Sequence, residues 1–281
     1  AAHPRLEPLW RERQRKGVTM QIIARVGRRL RRYERQAGMA WRYVNYTLGK
    51  AKPWAYPDRM YLESTNACNL RCVMCPTGRG IARRKKGYLD WELFREIIDE
   101  MAPHISMTTL HIWGEPLLHP RIVDMIAYCH DHGLHAEIST NAVLLNPALS
   151  KSIIDAGLGA IYLCLDGTTA ETYEAVRREA SFEQTRENIL RFLELRNQAG
   201  GRGPRTKLQI IELAPTADQI EAFNRTWTVP GVDQINVKAF DSWGDQVADI
   251  SSLRADSRPA LPPRYHCPNL WYHAHIYWDG T

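Results

Sequence analysis

The chain of 281 residues has no long apolar run and few cysteines. Without about 20 consecutive apolar residues no helix can cross a bilayer, and no segment of signal-peptide type opens the sequence. Six cysteines are too few for a disulfide scaffold in a chain of this length. These absences predict a cytoplasmic protein without a membrane span, in which clustered cysteines indicate a metal site.

Acidic residues are scarce at the N-terminal end. Residues 1–57 contain 14 Lys and Arg against 3 Asp and Glu, a balance of +11, whereas the remaining residues contain 23 against 28, a balance of −5. Apolar residues recur at helical spacing between residues 20 and 48, with arginines on the opposite side. This pattern predicts one amphipathic helix, or two with a break near Gly38, packed on its own domain. We expect no nucleic-acid partner, although an acidic peptide would suit such a segment.

From residue 58 onward, short strand-like runs alternate with helical patterns. The predicted strands are 59–64, 107–112, 135–140, 160–165, 206–213 and 232–239, and the helical patterns are 90–101, 120–132, 147–156, 170–198 and 216–227. This alternation predicts an α/β fold with parallel strands and right-handed crossovers, namely a partial (β/α)6 barrel. Its ligand site is expected at the carboxyl ends of the strands.

The alternation stops after residue 241. A loop-like stretch rich in proline leads to a strand-like run at 272–278, which Asp279-Gly280 follows. Asp-Gly after a strand is a hairpin signal, so we expect the polypeptide to continue into a second strand beyond Thr281. The predicted domains are a basic N-terminal helical segment (1–57), the barrel (58–241), and a linker with the beginning of a C-terminal extension (242–281).

Three cysteines, Cys68, Cys72 and Cys75, follow the first predicted strand with the spacing C-x3-C-x2-C. Three thiolates on one loop suit a soft metal centre, but structural zinc and ferredoxin clusters use four protein ligands. A [4Fe–4S] cluster held by three cysteines leaves one iron open. The open iron can bind a cofactor or a substrate, which distinguishes a catalytic cluster from an electron carrier.

Further polar motifs fall at the ends of the next strands. Gly114-Glu115-Pro116 follows the second strand, Ser139-Thr140-Asn141 closes the third, and Asp166-Gly167 closes the fourth. Parallel strands end at one edge of a sheet, so these motifs are expected beside the cysteine loop.

On these residues the chain resembles the radical S-adenosylmethionine (SAM) superfamily over about residues 58–240. In that family SAM binds the open iron of a [4Fe–4S] cluster, and its reductive cleavage gives a 5′-deoxyadenosyl radical that takes a hydrogen atom from the substrate. The resemblance implies cluster ligation by the three cysteines and a one-electron donor such as a flavodoxin or ferredoxin. It also implies SAM contacts from the matching residues, which are Met74, Gly114, Glu115, Pro116, Ser139, Asn141, Cys164, Asp166 and Arg177. Trp113 stands where the family has glycine.

The segment from Cys267 onward resembles the beginning of the C-terminal extensions called SPASM or Twitch. Those extensions bind auxiliary Fe–S clusters through cysteines. The resemblance therefore implies that Cys267 is a ligand of an auxiliary cluster.

The leading functional prediction is an enzyme of oxidoreductase or epimerase type that oxidises, dehydrates or epimerises a sugar, cyclitol or similar small metabolite. No leader-binding domain is evident in residues 1–57, which favours this prediction over the alternative, a maturase of a ribosomally made peptide. The second alternative is a non-catalytic Fe–S electron carrier. Candidate catalytic or substrate-facing residues, chosen by their place at strand ends, are Asp166, Glu212, Lys238, Asp241 and Trp243.

Overall fold

The computed structural model describes residues 37–81, 83–201, 203–241, 248–255 and 267–281. Residues 20–36 of the predicted N-terminal helix and Trp243 lie outside the described residues. The strands are β1 (Arg59–Leu62), β2 (Met107–Thr109), β3 (His135–Thr140), β4 (Ala160–Cys164), β5 (Arg205–Glu212), β6 (Gln234–Ala239) and β7 (His273–Ile276). The helices are α1 (37–47), α2 (Trp91–Met101), α3 (Ile122–Asp131), α4 (Pro147–Asp155), α5 (Ala170–Val176), α6 (Phe182–Gln198), α7 (Ile220–Trp227) and α8 (Asn269–Tyr272).

The strands form one parallel sheet in the order β6-β5-β4-β3-β2-β1-β7. In the described part of the chain β6 and β7 do not pair, so the sheet stays open and the predicted partial barrel is confirmed. The strand count differs from the prediction. The run assigned to the C-terminal extension supplies a seventh strand, in which Tyr61 of β1 is in register with His275 of β7. β1 therefore has a hydrogen-bonded neighbour on each side.

The two faces of the sheet differ in polarity because successive side chains point to opposite faces. One face packs against the helices through fully buried apolar residues, among them Met60, Leu62, Ile138, Ile161 and Leu163. The opposite face carries polar residues such as Arg59, Glu137 and Lys207, whose side chains interact across the strands. The barrel interior is therefore polar, and the apolar core lies between the sheet and the helices.

The helix predicted over 170–198 is two helices, α5 and α6. Helix α5 ends at Val176. Glu179 then has a positive φ of 71°, which interrupts the repeating backbone hydrogen bonds of a helix. Ser181 then caps α6, its hydroxyl accepting a hydrogen bond from the amide of Gln184 at 3.5 Å. The break places Arg177 at the end of a short helix beside the sheet.

A predicted helix start is confirmed at α4. Asn146 accepts a hydrogen bond from the amide of Leu149 at 2.9 Å, and Pro147 occupies the first turn. Proline suits this position because its missing N–H would have no helical partner there.

Helix α1 directs polar residues toward the domain. Arg42 is 4% exposed, donates to the carbonyl of Tyr56 at 3.1 Å, and Asn45 is fully buried. Trp41 and Leu48, which belong to the predicted apolar stripe, are 49% and 60% exposed. For the described part of this segment, the prediction that the stripe packs on the domain is therefore wrong. None of the described helices has the length and apolar character needed to cross a membrane.

Candidate functional site

The three cysteines lie on the loop that follows β1. The loop turns at its second half, where the amide of Cys75 donates to the carbonyl of Cys72 at 3.2 Å. The amide of Val73 donates to the carbonyl of Val176 at 3.0 Å, which ties the loop to the end of α5. Cys72 is buried, while Cys68 and Cys75 are partly exposed. The backbone therefore fixes three thiols on one loop at the carboxyl end of the sheet.

The loop folds closely on itself and has its own apolar anchor. A Cβ atom at Gly78 would lie 2.7 Å from the amide nitrogen of Cys72 and 2.9 Å from its carbonyl oxygen, so glycine is required there. Leu70 and Met74 are buried in an apolar cluster with Val176 and Leu213. Met74, the residue predicted beside the adenine of SAM, thus belongs to the packing that holds the loop.

Three thiols on one loop are donors of the kind that an Fe–S cluster takes. Among the described residues no three His, Cys, Asp or Glu side chains are gathered so that they would hold one metal ion. A [4Fe–4S] cluster binds each thiolate to a different iron atom, so its ligands stand further apart than those of a zinc ion. Burial raises the pKa of Cys72 to about 12 and also raises that of Cys68. Coordination to iron would supply the positive charge that deprotonates such thiols.

The turn after β2 is pressed against the start of the cysteine loop. Gly114 has a φ of 77°, and a Cβ atom there would lie 2.5 Å from the carbonyl oxygen of Ala67 and 2.6 Å from that of Thr65. The amide of Glu115 donates to the same carbonyl of Ala67 at 2.8 Å. Glycine is therefore required at position 114 by both conformation and space.

The carboxylate of Glu115 accepts three hydrogen bonds from within the protein. One carboxylate oxygen accepts from the hydroxyl of Thr140 at 2.7 Å and from the amide of Leu117 at 3.1 Å, and the other accepts from the amide of Asn141 at 2.7 Å. Burial raises the pKa of the Glu115 carboxyl, while these hydrogen bonds oppose the shift. Glu115 thus joins the turn after β2 to the end of β3. Pro116, the next residue, begins a short 3-10 helix that Glu115 caps.

Asn141 lies next to the cysteine loop, as predicted. Its Nδ2 donates to the side-chain oxygen of Asn69 at 2.9 Å and lies 4.0 Å from the sulfur of Cys68. Its side-chain oxygen accepts from the amide of Val143 at 3.0 Å. The amide group is thereby oriented at the edge of the space beside the first cysteine.

Asp166 and Arg177 form a buried ion pair behind the loop. The Nε of Arg177 donates to Oδ2 of Asp166 at 2.9 Å, and Nη2 lies 2.8 Å from the same oxygen. The other oxygen of Asp166 accepts from the amide of Ile211 at 2.7 Å. Burial disfavours the charge of Arg177, but Asp166 and the neighbouring Cys72 outweigh it and raise the pKa of Arg177 well above its usual value. Arg177, predicted near the SAM carboxylate, is already paired within the protein.

A chain of hydrogen-bonded polar side chains crosses the barrel interior and was not among the predicted site residues. The Nδ1 of His111 accepts from the amide of Ser139 at 3.0 Å, which assigns the proton of the neutral ring to Nε2. The hydroxyl of Ser139 lies 3.2 Å from the sulfur of Cys164, to which Gln209 donates at 3.5 Å. Asn236 of β6 in turn donates to Gln209 at 2.9 Å. The signal in the sequence is a polar residue at alternate positions of β3, β5 and β6.

Three of the remaining predicted residues lie together at the carboxyl ends of β5 and β6, where Ile211 is in register with Lys238 and Glu212 with Ala239. Glu212 ends β5, and the exposed residues Lys238 and Asp241 lie on β6 and directly after it. Cys267 is exposed and precedes α8, on the chain that leads to the amino end of β7. The cysteine loop follows the carboxyl end of β1, so the structure does not bring Cys267 to the other three cysteines.

A family model described as the Radical SAM superfamily matches residues 62–210. Among curated proteins, the chain is 28% identical over 180 residues to the tungsten-containing aldehyde ferredoxin oxidoreductase cofactor-modifying protein of Pyrococcus furiosus, covering 63% of this chain and 50% of that protein. It is 30% identical over 162 residues to the mycofactocin maturase MftC of Mycobacterium ulcerans, covering 57% of this chain and 42% of that protein. The chain thus spans about half or less of the length of these relatives.

The fold is shared with SuiB of Streptococcus suis. SuiB bound to S-adenosylmethionine matches with a TM-score of 0.59 at 14% identity, covering 72% of this chain and 44% of SuiB. SuiB bound to the precursor peptide SuiA matches with a TM-score of 0.58 at 13% identity, covering 73% of this chain and 43% of SuiB. At these identities the likeness shows the fold.

Proposed function

Because the chain belongs to the radical SAM superfamily, whose enzymes use a [4Fe–4S] cluster and SAM, we propose that Cys68, Cys72 and Cys75 hold that cluster here. The observation that carries this assignment is the single loop that presents three thiols and is fixed to α5 and to the β2 turn. Bound there, the reduced cluster would supply the electron for the reductive cleavage of SAM, on which hydrogen abstraction from the substrate depends.

The chain's own residues position SAM at the edge of the sheet. We assign the methionine end to the turn at Gly114 and Glu115, where the close-packed backbone approaches the cysteine loop, and the ribose side to Ser139 and Asn141. Asp166 already contacts Nε and Nη2 of Arg177. Arg177 therefore binds the SAM carboxylate only through the N–H groups of the guanidinium that Asp166 does not engage. The role of these residues is to bind, orient and enclose the cofactor.

The proposed substrate is a ribosomally made peptide, and the proposed reaction is its maturation. A maturase among the relatives and a fold neighbour solved with a precursor peptide support this choice. They favour the peptide over the sugar or cyclitol that the sequence analysis preferred. The polar interior that runs from His111 to Asn236 offers hydrogen-bond donors and acceptors suited to a peptide backbone.

A small metabolite is the second candidate. The Pyrococcus furiosus relative is named for modifying a cofactor, and it matches the larger share of this chain. The same hydrogen-bonding interior would serve a polar metabolite.

The first test is SAM cleavage. The anaerobically reconstituted protein, reduced with dithionite, is expected to convert SAM to methionine and 5′-deoxyadenosine, and the Cys75→Ala variant is expected to form none. Cys129→Ala, which changes a cysteine buried in the apolar core, is the matched control and should retain cleavage. An intact, reducible cluster that never yields 5′-deoxyadenosine would contradict the proposed enzyme activity and favour an electron carrier.

The second test separates the substrates. Extract of the source organism is divided by size, and each fraction is added to the reduced enzyme with SAM. A peptide substrate predicts that the stimulating fraction loses its effect after protease treatment. Stimulation that survives protease and passes with the small molecules would instead identify a metabolite.

A further inference from the structure

A strip of exposed cations borders the cysteine loop. Between residues 64 and 89 the chain has six Lys and Arg and no Asp or Glu, although residues 58–281 carry a balance of −5. Arg178 joins these cations, because the amide of Arg71 donates to its carbonyl at 3.1 Å. The exposed members, called the basic strip below, are Arg71, Arg79, Arg83, Lys85, Lys86 and Arg178.

The backbone attaches the basic strip to the cysteine loop. The amide of Arg79 donates to the carbonyl of Cys75 at 2.9 Å. Further along, the carbonyl of Lys85 accepts from the side chain of Asn66 at 2.8 Å. Arg84 is directed away from the strip into an ion pair with the buried Glu63, at 2.8 Å, and acts as an anchor. The position of the cations relative to the cysteines is therefore set by the fold.

Three of the six cations in the strip carry charge that no described acidic side chain compensates. Within the described ranges, Arg83, Lys85 and Lys86 make no ion pair. Exposed arginines on the helices behave differently, since Arg95 and Arg191 each pair with a glutamate three residues away. Clustered cations without counter-charges create a local positive potential that attracts and orients an acidic partner.

We propose that the basic strip is the docking surface for an acidic one-electron carrier protein that reduces the cluster. The inference rests on the proposed function, since a cluster on the cysteine loop needs one electron for each reduction. In the transfer the carrier is oxidised by one electron and the cluster is reduced by one, and no bond is made or broken. Docking beside the loop brings the carrier to the partly exposed side of the cluster ligands.

The place of the strip favours a carrier over a substrate. The strip continues into a bridge between Tyr88 and Thr65 at the end of β1, and the ring of Trp278, after β7, lies against Gly87. The part of the strip with Arg83, Lys85 and Lys86 therefore lies on the β7 side of the cysteine loop. The polar interior assigned to the substrate lies on the other side, across β3 to β6, and its centre is at Cys164. A partner on the strip would touch the cluster loop without filling the substrate space.

The test compares two variants of equal net charge. In the strip variant Arg83, Lys85 and Lys86 are changed to Glu, and in the control Lys151, Arg191 and Arg205, exposed on α4, α6 and the amino end of β5, are changed to Glu. The probe is an acidic flavodoxin. At low salt the strip variant is expected to bind flavodoxin about tenfold more weakly in a titration and to lose the salt dependence of binding, because rim charges set the association rate. The control variant is expected to bind as the wild type does.

Cluster reduction supplies the second readout. With reduced flavodoxin the strip variant is expected to form 5′-deoxyadenosine about tenfold more slowly, and with dithionite at the wild-type rate. Unchanged flavodoxin binding in the strip variant would overturn the proposal. A defect confined to peptide modification under dithionite would show that the strip binds an acidic peptide instead, which also overturns it. If wild-type protein forms no 5′-deoxyadenosine with dithionite, the proposed function fails, and the flavodoxin titration still decides the docking surface.

Discussion

Arg177 directs two nitrogen atoms at a single carboxylate oxygen of Asp166, and both side chains are buried behind the cysteine loop. Because Asp166 also accepts from the amide of Ile211 on β5, the pair links the end of α5 to the sheet. The same α5 end holds the loop through the carbonyl of Val176. The ion pair therefore supports the cysteines from behind, and a SAM carboxylate would have to share the guanidinium with Asp166.

Removing Arg177 is expected to destabilise the whole domain. Arg177→Ala leaves the carboxylate of Asp166 buried without its partner, which costs about 3–5 kcal/mol in the free energy of unfolding. Arg191→Ala is the control, because Arg191 pairs with Glu194 on the exposed face of α6, where a pair contributes less than about 1 kcal/mol. Urea unfolding followed by circular dichroism measures both. A loss below about 1 kcal/mol in Arg177→Ala would contradict the supporting role.

Iron content is expected to depend on Cys72 and not on Cys129. Cys72→Ala removes one of three proposed ligands, so the reconstituted variant should lose most of its iron and its brown absorbance. Cys129 lies on α3 in the apolar core, and Cys129→Ala should bind iron as the wild type does. Iron and sulfide analysis after anaerobic reconstitution decides the matter. Equal iron in the two variants would refute the assignment of Cys72.

Two glycines with similar backbone angles are expected to respond differently to alanine. Gly114 and Gly133 have φ values of 77° and 70°, but a Cβ atom meets two carbonyl oxygens at Gly114 and nothing within 4 Å at Gly133. Gly133→Ala should cost about 1–2 kcal/mol from the left-handed conformation alone. Gly114→Ala should cost more and also weaken SAM binding, since the turn must move. Similar losses in unfolding free energy for both would show that the close contact is unimportant.

Acid is expected to destabilise the protein partly through His111. Burial, with Lys238 and Arg59 nearby, lowers the pKa of His111 to about 4 from its usual 6.5. Between these values the unfolded chain binds a proton that the folded chain does not, so the stabilisation is complete above about pH 6.5 and falls as the pH decreases toward 4.

The His111→Gln variant tests this pH dependence. Between pH 6.5 and 4 its free energy of unfolding should fall less steeply than that of the wild type, by up to about 1.4 kcal/mol per pH unit. Urea unfolding at pH 7, 6 and 5 gives the slopes. Parallel slopes for the two proteins would indicate that His111 titrates normally in the folded state.

Local sequence signals predicted the sheet and the place of the site well. Asn146 and Pro147 mark a helix start in the sequence and form one in the structure, since the signal acts over a single turn. The ends of the strands are also predicted from local pattern. The cysteine loop, Gly114 and Asn141 are therefore expected at one edge of the sheet, and they lie there.

Long-range pairings were not readable from local pattern. The run 170–198 has helical periodicity throughout, but the break after Val176 is needed to bring Arg177 onto Asp166, which follows a different strand. The motif around Glu115 predicts a cofactor contact because it matches the family, but its hydrogen bonds to Thr140 and Asn141 depend on the neighbouring strand and have no local signal. In α1, Trp41 and Leu48 match a buried stripe by spacing, yet Arg42 and Asn45 face the domain.

The pairing of β7 with β1 has a consequence for the order of assembly. β1 ends at Leu62 and its partner β7 begins at His273, so the strand that carries the cysteine loop gains its second neighbour only after most of the described chain has been synthesised. Contacts between residues so distant in sequence form slowly, because a large loop must close first. Until then the edge of β1 exposes unpaired backbone groups, which are a template for aggregation. We therefore expect cluster insertion to follow synthesis of β7 and not of the cysteine loop itself.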